Sequence, residues 1–129
     1  MEKKLILVDT SILIDFFRKT DKSNSQLIKL VRDNSAYCIS VVTEFEIYTG
    51  TSASQTQYWE EFLFRTKVLA FDKEVARVAV AISKVLKQNN KQIGMADLFI
   101  AATGVYHNLP LATLNSKHFQ RIDGLELLV

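Results

Sequence analysis

The run Leu5-Ile6-Leu7-Val8 stops at Asp9-Thr10-Ser11. Four consecutive apolar residues, β-branched at Ile6 and Val8 and followed by capping residue types, describe a short strand buried on both faces. Leaving that strand through Asp9 puts a carboxylate at its C-terminal end, the edge of an open α/β sheet where ligands bind. Asp is also a preferred helix N-cap, so Asp9 alone equally describes the start of the next helix.

Working outward, similar runs recur at residues 37–39, 68–70, 111–113 and 125–129. Helix-period segments separate most of them, at 11–18, 25–32, 42–49, 58–65 and 95–107, with one more opening after the N-cap Asp72. In that last helix Val75, Val78, Ala79, Ile82, Val85 and Leu86 form one stripe expected to be buried, with Lys73, Arg77, Lys84 and Lys87 as a solvated face. Strands alternating with helices predict an α/β fold with a parallel sheet covered on both faces.

The chain has 129 residues, 48% hydrophobic and 23% charged, with one proline, four glycines and no linker or repeat between them, which predicts a single domain. A net charge of +2 excludes capture of nucleic acid by a uniformly basic surface, so any such contact must be a local patch. Cys38 is the single cysteine, with no disulfide or CxxC partner, and a reducing cytoplasm is the expected compartment. Met1-Glu2-Lys3-Lys4 and the four apolar residues after it are too short for a signal sequence, and no run approaches the roughly 18 apolar residues of a membrane span.

Three further acids interrupt apolar segments. Asp97, on the helix opening near Met95, shares a stripe with Ala101 and Gly104, whose small side chains let the helix lie close to the sheet. It would then face the strand ends, although a first-turn acid favoured by the helix dipole has the same residue type. Glu44 and Glu46 lie about 200° apart on one helix, so they cannot both enter one site. Val41, Phe45 and Tyr48 define its apolar stripe, Glu46 falls on another flank, and one of the two glutamates is a surface charge. Acids converging on the sheet edge repel unless a cation neutralises them, and oxygen-only ligands favour Mg²⁺ or Mn²⁺. Such ions suit phosphodiester hydrolysis by an activated water. No nucleophile motif or Gly-rich phosphate loop supports a phosphatase or small-molecule hydrolase instead.

Four segments in order, Val8-Asp9-Thr10-Ser11, Ser40 to Gly50 with Glu46, Ala96-Asp97-Leu98-Phe99-Ile100-Ala101-Ala102, and Leu111-Ala112-Thr113-Leu114-Asn115 followed by His118-Phe119, resemble the PIN-domain family and its VapC-type toxins. The resemblance spans nearly the whole chain. It implies one PIN domain over residues 1–129, a three-layer α/β/α sandwich with a central, mostly parallel five-stranded sheet. It also implies an Mg²⁺- or Mn²⁺-dependent endoribonuclease with Asp9, Glu46 and Asp97 as catalytic acids and metal ligands, which selects Glu46 over Glu44. Thr10 or Ser11 matches a hydroxyl that positions the first acid, and Thr113 and Asn115 are supporting residues.

Asn115 departs from the family's frequent fourth acid, which implies weaker Mg²⁺ binding. His118 is expected to be a partly buried side chain packing beside Phe119. Arg18, with Lys19, and Lys117 and Arg121 are candidate RNA contacts around the pocket. Tyr58 and Trp59 read as core or partner-facing residues. The resemblance also implies a homodimer and a cognate antitoxin that lays an apolar segment near the site. The alternative reading is a non-catalytic PIN-like module that binds RNA or protein.

Overall fold

In the computed structural model, which describes residues 3–33 and 35–128, strand β1 (Lys4–Val8) is the middle of a five-stranded sheet. Met1 and Glu2 of the expected leaderless start and Val129 of the expected last strand lie outside the described residues. The remaining strands are β2 (Ser35–Ser40), β3 (Lys67–Leu69), β4 (Leu111–Ala112) and β5 (Leu127–Leu128), in the order β3-β2-β1-β4-β5. Every pairing is parallel, so the sheet is fully parallel where the sequence implied a mostly parallel one. The helices are α1 (Thr10–Arg18), α2 (Gln26–Arg32), α3 (Val41–Gly50), α4 (Thr56–Phe64), α5 (Lys73–Gln88) and α6 (Met95–His107). None is long and apolar enough to cross a membrane among the described residues.

Two cores sandwich the sheet. Along β1, Ile6 and Val8 pack with Ile12, Leu13, Leu27, Trp59 and Leu63 on the side of α1, α2 and α4. Leu7 points the other way, to Leu86, Ile100 and Ala101 on α5 and α6. Burying a Leu, Ile or Val side chain contributes about 1.5–3 kcal/mol, so a strand buried on both faces repays its uninterrupted apolar sequence.

The chain runs from β1 outward to β2 and β3, then returns to β4 on the other flank of β1. This reversal creates a switch point between the C-terminal ends of β1 and β4, where a crevice opens in such sheets. Helix α6 reaches that crevice because it lies close to the sheet. A Cβ on Gly104 would stand 3.0 Å from Leu125 Cδ1, 3.3 Å from the Leu109 carbonyl oxygen and 3.5 Å from Leu7 Cδ2.

Two expected stripes differ from the structure. On α5, Val75, Ala79 and Leu86 are buried, but Val85 is 46% exposed because the neighbouring α6 covers a narrower arc than the apolar pattern. On α3 the buried residues are Thr43 and Ile47, whereas Val41 and Phe45 are exposed, Phe45 at 67%. Trp59 is core, while Tyr58 sits edge-on to it at the surface.

Candidate active site

Asp9 ends β1 and begins α1, and it does what both of its sequence readings describe. One carboxylate oxygen, Oδ1, accepts the Ile12 N–H and so caps α1; the side chain also lines a cavity of about 670 Å³ at the switch point. The Ser11 hydroxyl donates to the same oxygen and the Thr113 hydroxyl, just beyond β4, donates to Oδ2. With their protons committed to Asp9, these hydroxyls accept from the following loop, Ser11 Oγ from the Leu114 N–H at 3.0 Å and Thr113 Oγ1 from the Asn115 N–H at 2.9 Å. The ends of β1 and β4 are thereby tied together through one acid.

Asp9 is only 3% exposed. Burial pushes its carboxyl above the ordinary 3.8; the bonds from Ser11, Thr113 and Ile12 pull the other way, and the Asp97 charge raises it further.

Asp97 sits in the first turn of α6 and lines the cavity with Asp9 and Glu46. His118, in a 3-10 turn (Ser116–His118), places Nδ1 2.8 Å from Asp97 Oδ2. A carboxylate only accepts, so the ring donates through Nδ1. This corrects the expectation of a partly buried histidine: the His118 side chain is 55% exposed and is held by Asp97, while its ring still lies beside Phe119, centroids 6.4 Å apart. Its place three residues after Asn115 was the only sequence signal, and it did not reveal the bond to Asp97.

Glu46 comes from α3, whose N-cap Ser40 fixes the helix start by accepting the Val42 N–H. The Thr10 hydroxyl donates to Glu46 Oε1 at 2.6 Å. Of the expected residues, Asp9, Thr10, Ser11, Arg18, Glu46, Asp97 and Asn115 all line this one cavity, with Lys19; Glu44 does not. Thr113 is buried beneath it. Lys117 and Arg121 line a neighbouring cavity that also includes Asp97.

The acids face one space without forming a closed coordination shell. Among the described residues, no three His, Cys, Asp or Glu side chains are gathered closely enough to hold a metal ion; Thr10 engages Glu46 and His118 engages Asp97. The chemistry of the donor set nevertheless fits a hard divalent cation. It is made of carboxylate oxygens, and such an ion offsets both the burial that chiefly raises Asp9 and the smaller repulsion from Asp97.

The PIN domain family profile matches residues 6–125. Ribonuclease VapC1 of Methanocaldococcus jannaschii is 34% identical over 129 residues, covering 99% of this chain and 88% of that protein. The fold is similar to the structure of VapBC2 from Rickettsia felis bound to a DNA fragment from their promoter, with a TM-score of 0.80 and 25% identity over 96% of this chain and 97% of that one. It is also similar to a toxin-antitoxin complex from Klebsiella pneumoniae, with a TM-score of 0.67 and 27% identity over 96% of each chain. With the profile spanning the sheet from β1 to the approach to β5, and near-complete coverage of a relative at this identity, the chain belongs to the PIN-domain family, among the VapC ribonucleases.

Proposed function

We propose that this protein is the ribonuclease toxin of a toxin-antitoxin pair, hydrolysing RNA phosphodiester bonds with Mg²⁺ or Mn²⁺ held by Asp9, Glu46 and Asp97. The observation that carries it is that these three acids, from three separate elements, line one cavity at the switch point of the sheet. When bound, the ion supplies charge neutralisation at the phosphodiester and eases ionisation of the attacking water. Ser11 and Thr113 hold the Asp9 carboxylate in one orientation, Thr10 holds Glu46, and His118 holds Asp97. Asn115 offers the cavity a neutral amide at the family's frequent fourth-acid position; Asp15 also lines the cavity, where it pairs with Lys19 at 3.5 Å. Arg18 and Lys19, on the same rim, are placed to meet the anionic backbone of the substrate.

The proposal includes an antitoxin, a second copy of the chain and a cytoplasmic setting. The relatives found as complexes support the first. Exposed Phe45, Phe64, Val80 and Met95 supply apolar surface for partners to cover. The non-catalytic alternative is disfavoured by the ribonucleases that match this chain over nearly its full length.

The test is to incubate purified protein with RNA in Mg²⁺, Mn²⁺ or chelator, beside an Asp9→Asn variant. Cleavage that stops with chelator and with the variant is expected. Cleavage that survives either one overturns the proposal.

A further inference from the structure

A second cavity, of about 590 Å³, backs onto the first and shares Asp97 as a wall. Lys91, Lys117 and Arg121 line it, from the α5–α6 connection, from the turn after β4 and from the segment that follows that turn. Three cations distant in sequence thus converge on one concavity. Arg77, on the outer face of α5, is an instructive contrast: it pairs with Glu74 at 3.4 Å. Among the described residues none of the three converging cations has an acid partner within ion-pair distance.

Their backbone is anchored rather than loose. After α5 the chain turns through Asn90 at φ 55°, with the Asn90 N–H donating to the Lys87 carbonyl and the Lys91 N–H to the Leu86 carbonyl at 2.8 Å. This paired closure is a Schellman turn, and buried Leu86 ties it to the core. Arg121 is framed by buried Phe119 and Ile122. Lys117 rides the turn closed by the His118 N–H bonding the Asn115 carbonyl at 3.0 Å. Like charges held around a concavity repel one another, and an anion placed there relieves all three at once.

We propose that the Lys91, Lys117 and Arg121 cavity is a second phosphate subsite, which holds a backbone phosphate of the RNA strand flanking the one cleaved beside Asp9. The inference rests on the ribonuclease reading. Asp97 then forms a ridge between two grooves, with Arg18 beyond the cleaved bond on one side and the three cations on the other. A strand long enough to cross the ridge reaches cations that the shortest cleavable RNA does not.

The test compares wild type with Lys91→Ala, with the Lys91→Ala/Lys117→Ala/Arg121→Ala triple variant and with Lys91→Arg. Binding of an uncleavable 2′-O-methyl oligoribonucleotide is followed by fluorescence anisotropy across a salt series. The slope of log affinity against log salt is expected to fall by about 0.7 for each phosphate that is no longer neutralised, with Lys91→Arg restoring it. In cleavage assays the triple variant is expected to raise KM for a long strand, to leave its kcat unchanged, and to leave the shortest substrate unaffected. An unchanged salt slope, an equal KM change at both lengths, competition by inorganic phosphate with no effect of the variants on RNA, or a loss confined to antitoxin binding each overturns the subsite. If wild type cleaves no RNA, the ribonuclease reading falls. The anisotropy series still decides the cavity, because it needs no cleavage.

Discussion

The imidazole of His118 and the carboxylate of Asp97, 21 residues apart, meet at 2.8 Å and join the turn after β4 to the first turn of α6. Partners that orient a ligating carboxylate typically contribute 10–100-fold to metal affinity or activity. His118→Ala is expected to lose about that much in kcat and in Mg²⁺ affinity measured by calorimetry, with no change in folding stability above about 0.5 kcal/mol, since the side chain is exposed. Wild-type Mg²⁺ affinity in His118→Ala refutes the positioning role.

Asp9→Asn should separate stability from activity. The folded-state carboxyl titrates above its unfolded value near 3.8, chiefly because it is buried. Its stabilising contribution is therefore complete below that unfolded value and is lost as pH rises through the raised folded one. The metal-free Asn variant is expected to lose this pH dependence of melting, while cleavage is abolished. Mg²⁺ should stabilise wild type, by about 2.7 kcal/mol at a hundredfold excess over Kd, and leave the variant unmoved.

Thr113→Val removes the proton donated to Asp9 Oδ2 and the oxygen that accepts the Asn115 N–H. Leaving buried groups unpaired costs about 1–3 kcal/mol, so denaturant melts should register that loss. Thr113→Ser is expected to restore both stability and cleavage, and a Val variant as stable as wild type contradicts the network.

Asn115→Asp adds a charge to the cavity that already holds Asp9, Glu46 and Asp97. Calorimetry should show tighter Mg²⁺ binding, and the metal-free melting temperature should fall through added repulsion. Weaker binding by the Asp variant removes Asn115 from the site.

Gly104→Val drives two methyl groups toward Leu125, the Leu109 carbonyl and Leu7. Overpacking of this kind costs about 1–3 kcal/mol. Because the same helix carries Asp97, cleavage should fall further than stability alone accounts for, measured at a temperature where the variant is fully folded.

Much of this architecture could be read from local sequence. Residues 5–8 could only be an inner strand, Asp72 announced α5, and Gly104 marked the face of α6 that meets the sheet. Asp9 and Asp97 were legible because each interrupts an apolar segment at an element's end, whereas Glu46, inside α3, was separated from Glu44 only by the family resemblance. What escaped was set by how wide an arc each helix buries. Val85 and Phe45 continue apolar patterns past the edge of the intramolecular contact, which a chain read by itself does not reveal. His118 and Lys91 owe their positions to a turn and a helix closure, features with no period for a sequence to display.

The bond from Thr113 to Asp9 spans 104 residues. Synthesis is vectorial, so Asp9 emerges from the ribosome early and waits for almost the whole chain before its supporting hydroxyl and the second wall of the crevice arrive. A site closed across that separation is complete only once β4 and Thr113 have followed β1 out of the ribosome.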